Sequence, residues 1–198
     1  MNFGTATRQT QIRREEMSTR YSAAFANAWR KTGRAEGGYV NDPSDSGGET
    51  NHGITEEVAR DNGYTGEMRD LRADMAEGIA KAEYWDVMLL DQVPPAIAEE
   101  LFDTGFNAGP VRAVGFLQRS LNALNRIERD YDDMLVDGKM GPKTVRALDE
   151  FLYVRRTNGI KVLLRALNGL QLEFYMSLVE RRKKDERFLF GWILNRVS

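Results

Sequence analysis

The chain has 198 residues, enough for one sizeable hydrophobic core or two small ones. A hydrophobic fraction of 41%, a charged fraction of 29% and a net charge of −2 are ordinary for a globular protein. There is no cysteine and one histidine, His52, which excludes disulfides, thiolate catalysis, zinc–thiolate sites and multi-histidine metal centres.

Carboxylates are therefore the first candidates for chemistry. Residues 1–34 carry seven Lys/Arg against two Glu, and residues 155–198 carry ten against four, so the centre is acidic. That distribution argues against a nucleic-acid-binding core. No run approaches the roughly 18 apolar residues a membrane span needs. The first 20 residues lack the apolar stretch of a secretory signal.

Residues 1–20 read as a flexible lead-in, polar and mixed in charge. From Tyr21, "YSAAFANAWRKT" predicts a helix with Phe25 and Trp29 on one face, ended by Gly33. Residues 37–55 are the best candidate for a small sheet. Thr55 has the character of an N-cap for "EEVARDNG", which Gly63 stops. "ADMAEGIAKAEYWDVMLL" predicts a helix with Met75, Ile79 and Ala82 to Tyr84 on its inner side.

"VPPAIAEELFDTGFNAGP" begins at a proline pair, which suits a helix start; Ile97, Leu101 and Phe102 form its inner face. Behind Pro110, the residues Val111, Val114, Phe116, Leu117 and Leu121 mark another helix. "RDYDDMLVDGKMGP" is a turn-rich link, and Pro142 opens "KTVRALDEFLYVRR". A long helix over about 157–185 carries Ile160, Leu163, Leu164, Leu167, Leu170 and Phe174 at helical spacing. "FLFGWILNRVS" closes the chain. A domain boundary is expected near 110, giving parts at 21–110 and 111–198.

The stretch "EGGYVNDPSDSGGETNHGIT", residues 36–55, holds five glycines together with acceptor side chains. Glycosidic hydrolysis needs an acid to protonate the leaving oxygen and a carboxylate on the other side of the sugar ring. Glu36 follows a predicted helix, whose C-terminal end disfavours a negative charge and so favours a retained proton. Asp45 lies nine residues on in a glycine-flanked turn, and the Thr50 hydroxyl follows. The same composition also describes a solvated surface loop. A calcium loop through Asp42, Asp45 and Glu49 lacks the EF-hand spacing, and a phosphate loop lacks its lysine.

This stretch resembles the signature of glycoside hydrolase family 108, N-acetylmuramidases found among phage endolysins and bacterial lysis or secretion-associated proteins. The resemblance continues through Asp42, Pro43, Asp45, Gly47, Gly48, Thr50, Gly53, Ile54 and Thr55, then "YW" at Tyr84–Trp85 and "FDTGFNAGP" at 102–110. It implies that Glu36 is catalytic. The order Glu, Asp, Thr is similar to that of phage lysozymes, with a second gap one residue shorter, and suggests catalytic roles for Asp45 and Thr50. "FLQRSLNAL" and "DGKMGPKTVRAL", residues 116–124 and 137–148, are similar to the Leu-Gln, Asp-Gly, Gly and Thr pattern of the predicted peptidoglycan-binding domain that often follows. Together these cover roughly residues 21–195.

The implied fold is α+β and mainly helical: a lysozyme-like catalytic domain with a small β-hairpin region, then a helical C-terminal module. The implied reaction is cleavage of the β-1,4 bond between N-acetylmuramic acid and N-acetylglucosamine, with Glu36 as general acid and no metal or organic cofactor. Peptidoglycan glycan strands are the expected partner, the chain the expected monomer. It is expected to be made in the host bacterial cytoplasm without a signal peptide, and to reach the wall in the periplasm after release by a holin. The alternatives are a non-catalytic wall-binding or secretion-accessory protein, and a lytic transglycosylase.

Four further residues are substrate-binding candidates. Tyr39 stacks on a sugar or packs beneath the loop. Trp85 is a core residue or a sugar platform. Asn107 caps its helix or hydrogen-bonds an N-acetyl group, and Asp103, one turn earlier, shares its side. The basic run "ERRKKDER", 180–187, is a solvated helix face or a contact for anionic envelope lipids.

Overall fold

The computed structural model describes residues 23–32, 38–41 and 48–197. The expected lead-in over 1–20, and Glu36 and Asp45, lie outside the described residues. The fold is α+β and mainly helical, with one two-stranded antiparallel sheet among the described residues. The chain divides into two compact units, 1–99 and 100–198.

In the first unit, helix α1 covers 23–32 and buries Phe25, Ala28 and Thr32. Strands β1 (Thr50–Asn51) and β2 (Ile54–Thr55) pair as Thr50 with Thr55 and Asn51 with Ile54. The two residues between them, His52 at φ 52° and Gly53 at φ 75°, are both left-handed. That is the backbone of the tight hairpin turn whose twist matches the strands, and Gly53 adopts it without strain. Helix α2 (Glu56–Asp61) follows at once: Thr55 Oγ1 accepts from Val58 N at 3.4 Å, and Asn62 and Gly63, the latter at φ 79°, end the helix.

Helix α3 (Ala73–Ala80) departs from the expected inner face. Ala76, Ile79 and Ala80 are buried, whereas Met75 is 47% exposed and Ala82 is also exposed. Directly after α3, a π-helical turn covers Lys81–Asp86. Its wider spacing advances the phase by about one residue, so the buried set continues through Trp85 and Met88. Left-handed Leu89, at φ 50°, stops the helix before a 3-10 turn at Leu90–Gln92.

Helix α4 (Pro95–Ala108) starts at the proline pair and buries Ile97, Leu101 and Phe102, as its pattern predicts. The division between the units falls within it. In the second unit, Pro110 opens α5 (Pro110–Leu124), which buries Val114, Phe116, Leu117 and Leu121. Val111 departs from its expected inward position and is 67% exposed. It sits in the first turn, before the buried stripe begins.

Helix α6 (Pro142–Arg181) is broken at Arg156, whose φ of 52° and ψ of −140° are not helical. The two arms match the two helices read from the sequence, but the inner face of the second arm is rotated. Leu163, Leu167, Gln171, Tyr175 and Val179 are buried, while Ile160, Leu164, Leu170 and Phe174 lie at its edge. Helix α7 (Glu186–Arg196) follows a 3-10 turn at Lys183–Asp185 and packs against α6 through Trp192, whose ring centroid is 5.4 Å from that of Tyr175.

Candidate active site

Thr50 is held through its backbone. Val40 N donates to Thr50 O at 2.8 Å, Thr50 N donates to Val40 O at 2.9 Å, and on its other side Thr50 pairs with Thr55. The two ends of the glycine-rich stretch are thus drawn into one small ladder, with a half-buried threonine at its centre. Asn51, which the sequence does not single out, anchors that ladder. It is 4% exposed, and its Nδ2 donates to the Met68 and Arg69 carbonyls at 2.7 and 3.3 Å.

Tyr39 is 37% exposed, with the Arg69 guanidinium 5.7 Å from its ring centre. Asn41 Nδ2 donates to the Tyr39 hydroxyl at 3.4 Å and to Glu49 Oε1 at 3.1 Å. The surroundings of Thr50 therefore combine a half-open aromatic ring, a cation and a carboxylate. Arg69 carried no signal in the sequence beyond being charged, and Glu49 entered only as an oxygen donor of a calcium loop without the EF-hand spacing; Arg69 reaches this place because the 3-10 turn Met68–Asp70 lies against β1.

Trp85 takes the core alternative. It is fully buried, its indole N–H donates to Asp91 Oδ1 at 2.9 Å, and Phe25 meets its ring edge-on at 5.3 Å. A ring enclosed in this way is no sugar platform. Asp103 and Asn107 do share one side of α4: Asn107 Nδ2 donates to the Asp103 carbonyl at 2.8 Å and to its Oδ1 at 3.4 Å. Asn107 is exposed. The Asp103 carboxylate also accepts from Gln171 Nε2 at 3.1 Å and pairs with Arg196 at 3.5 Å. With these partners it ties α4 to α6 and α7 within the second unit.

The second motif has a different geometry. Gln118 is 2% exposed on α5. Its Nε2 donates to Asp137 Oδ1 at 2.9 Å, to the Lys139 carbonyl at 3.2 Å and to Thr144 Oγ1 at 3.2 Å, while its Oε1 accepts from Gly138 N at 2.9 Å. One buried amide thus reads the Gln, Asp-Gly and Thr of the motif together. Gly138 is at φ 69°, and a Cβ there would meet the Val111 carbonyl oxygen at 2.5 Å, so no other residue fits. The Gln118 amide, and then the Lys139 backbone N–H, hold the Asp137 carboxyl below the usual carboxylate range. Nearby, Tyr131 closes the link by donating from its hydroxyl to the Leu121 carbonyl at 2.7 Å; burial pushes its phenol up to about 12.

These two motifs match two family models. Residues 29–109 match the family described as Glycosyl hydrolase 108, and residues 112–197 the family described as Predicted Peptidoglycan domain. The chain therefore carries a region similar to glycosyl hydrolase family 108, followed by a region similar to a peptidoglycan-binding domain. It is a glycoside hydrolase that acts on peptidoglycan, and peptidoglycan is its partner.

A solved structure described as that of Brucella abortus SagA is similar to the hydrolase, with 27% identity and a TM-score of 0.65 over 86% of this chain and 88% of that one. No curated protein matches. Among the described residues of the hydrolase, no helix is long and apolar enough to cross a membrane.

Proposed function

We propose that this hydrolase is an N-acetylmuramidase of endolysin type, cleaving the β-1,4 bond between N-acetylmuramic acid and N-acetylglucosamine. Glu36 gives its proton to the glycosidic oxygen as the bond from C1 breaks. Asp45 acts on the opposite face of the ring, orienting the attacking water or stabilising the oxocarbenium charge. The water oxygen bonds to C1, and the proton it loses passes to Asp45 where that carboxylate orients the water, or to the ionised Glu36 where Asp45 only stabilises the charge. Thr50 helps to hold that water, and Tyr39 contacts the glycan.

The supporting observation is the ladder Val40–Thr50–Thr55, which joins both ends of the glycine-rich stretch at a half-buried hydroxyl. We further propose that 21–110 is the muramidase domain and 111–198 a wall-binding domain of a monomer. Synthesis in the host cytoplasm and holin-dependent access to the periplasmic wall complete the proposal.

Mass spectrometry of digested peptidoglycan tests it. Wild type should leave reducing N-acetylmuramic acid ends, and Glu36→Gln should leave the wall intact. Anhydro-muramic ends would instead establish a lytic transglycosylase. Absence of cleavage by the wild type would establish a binding protein.

A further inference from the structure

Helix α7 has two unlike sides. Trp192 and Arg196, four apart, face inward: the Trp192 ring lies 5.4 Å from that of Tyr175, and Arg196 reaches Asp103 at 3.5 Å. Arg187, Phe190 and Leu194 are spaced by three and four residues and share the other side. Phe190 is 79% exposed and Leu194 69%, and α7 buries none of its residues fully. This outward aromatic and leucine lie on a helix already held by its opposite side.

The run before α7 is cationic. Arg181, Arg182, Lys183 and Lys184 are consecutive and exposed, and Arg187 follows within one turn; Asp185 and Glu186 are the acids between them. Lys183 Nζ pairs with Glu186 Oε1 at 2.9 Å, yet its side chain remains 78% exposed. A cationic run beside exposed phenylalanine and leucine has the chemistry of a helix that lies in a membrane interface. An anionic wall polymer would use the cations but would give Phe190 and Leu194 no apolar environment.

We infer that α7 and residues 181–187 dock the hydrolase on an anionic phospholipid surface, the cations meeting the headgroups and Phe190 and Leu194 entering the acyl boundary. No described helix crosses the bilayer in this arrangement. It holds a wall-cutting enzyme at the face of the wall that adjoins the membrane, and it stands independently of which glycan bond is cut.

Flotation of the full chain with lipid vesicles tests the inference. Vesicles containing phosphatidylglycerol should carry the protein, and pure phosphatidylcholine vesicles should not; rising salt should weaken the association. The double variant Phe190→Ser/Leu194→Ser should lose partitioning by about tenfold or more, because both side chains leave the acyl boundary. Its binding to purified wall and its wall hydrolysis should stay as in wild type, which confirms that it is folded. Failure of the full chain to float with phosphatidylglycerol vesicles would overturn the inference. So would equal flotation of the double variant, or a loss of wall binding in that variant.

Discussion

Around Thr50 the chain turns with its side chains outward. Tyr39, Val40 and Asn41 are exposed, the ladder is made by backbone groups, and Asn51 and Ile54 turn inward, Asn51 bonding the carbonyls of a neighbouring turn. Around Gly138 the plan is reversed: a buried side chain, Gln118, makes the contacts, and the loop's backbone is pressed against Val111. The described ends of the first motif are joined through main-chain pairing, which leaves the side chains of Tyr39 and Thr50 outside the ladder's bonding. In the second, the recognisable residues are consumed in holding the loop. A sequence motif of glycines, acids and threonines thus has two physical meanings, separated by whether its side chains or its backbone do the bonding.

The largest effect should come from the first region. Glu36→Gln is nearly isosteric and removes the transferable proton, so wall hydrolysis should fall by a factor on the order of 10²–10⁴. Its thermal midpoint and wall binding should match wild type. A folded variant that still clears wall at the normal rate would erase the chemical side of the comparison.

Gln118→Ala attacks the second region. It leaves the Gly138 N–H and the Thr144 hydroxyl without their buried partner, which should cost about 2–3 kcal/mol of stability in urea unfolding. Gly138→Ala should cost a similar amount, about 2–3 kcal/mol, because the added methyl meets the Val111 backbone in a left-handed conformation. If both variants were fully stable but failed to sediment with wall, the second motif would be a contact surface and the contrast with the first would collapse.

Asn51→Ala sharpens the comparison from within the first region. Loss of its bonds to the Met68 and Arg69 carbonyls should cost about 1–2 kcal/mol. Activity at a temperature well below unfolding should fall with it, since Thr50 is its neighbour on the strand. A stability loss with unchanged turnover would separate the ladder from the chemistry.

The smallest effect concerns pH. The Asp137 carboxyl is held below its ordinary value by the Gln118 amide and the Lys139 N–H. A lowered folded value means that the stabilisation is complete above the unfolded value, and is lost as pH falls through the folded one. Asp137→Asn should therefore lower the thermal midpoint slightly near neutrality, and the difference from wild type should shrink on acidification below the usual carboxylate range. A difference independent of pH would show that charge plays no part in the clamp.

Local punctuation determined much of this protein. Pro95, Pro110 and Pro142 open helices because a missing N–H and a fixed φ cost nothing at a first turn. Thr55 caps α2, and Gly63 ends it, through their own side chain and backbone. The break between "YVRR" and the long helix was readable as two patterns that meet at Arg156. The family resemblance, too, lay in residue types and spacing alone.

What the sequence could not settle were phases and partners. The π turn at Lys81–Asp86 has no local signature, yet it leaves Ala82 outward and turns Trp85 into the core. Gln171 and Asn168 are polar residues within the leucine-rich run of α6. Tertiary structure buries them, because Asp103, Thr104 and Glu100 on α4 meet them with acceptors. Asp103 and Gln118 changed meaning for the same reason. A polar side chain in sequence is equally a surface group, a reactant or a clamp, and only the groups brought to it from distant segments decide which.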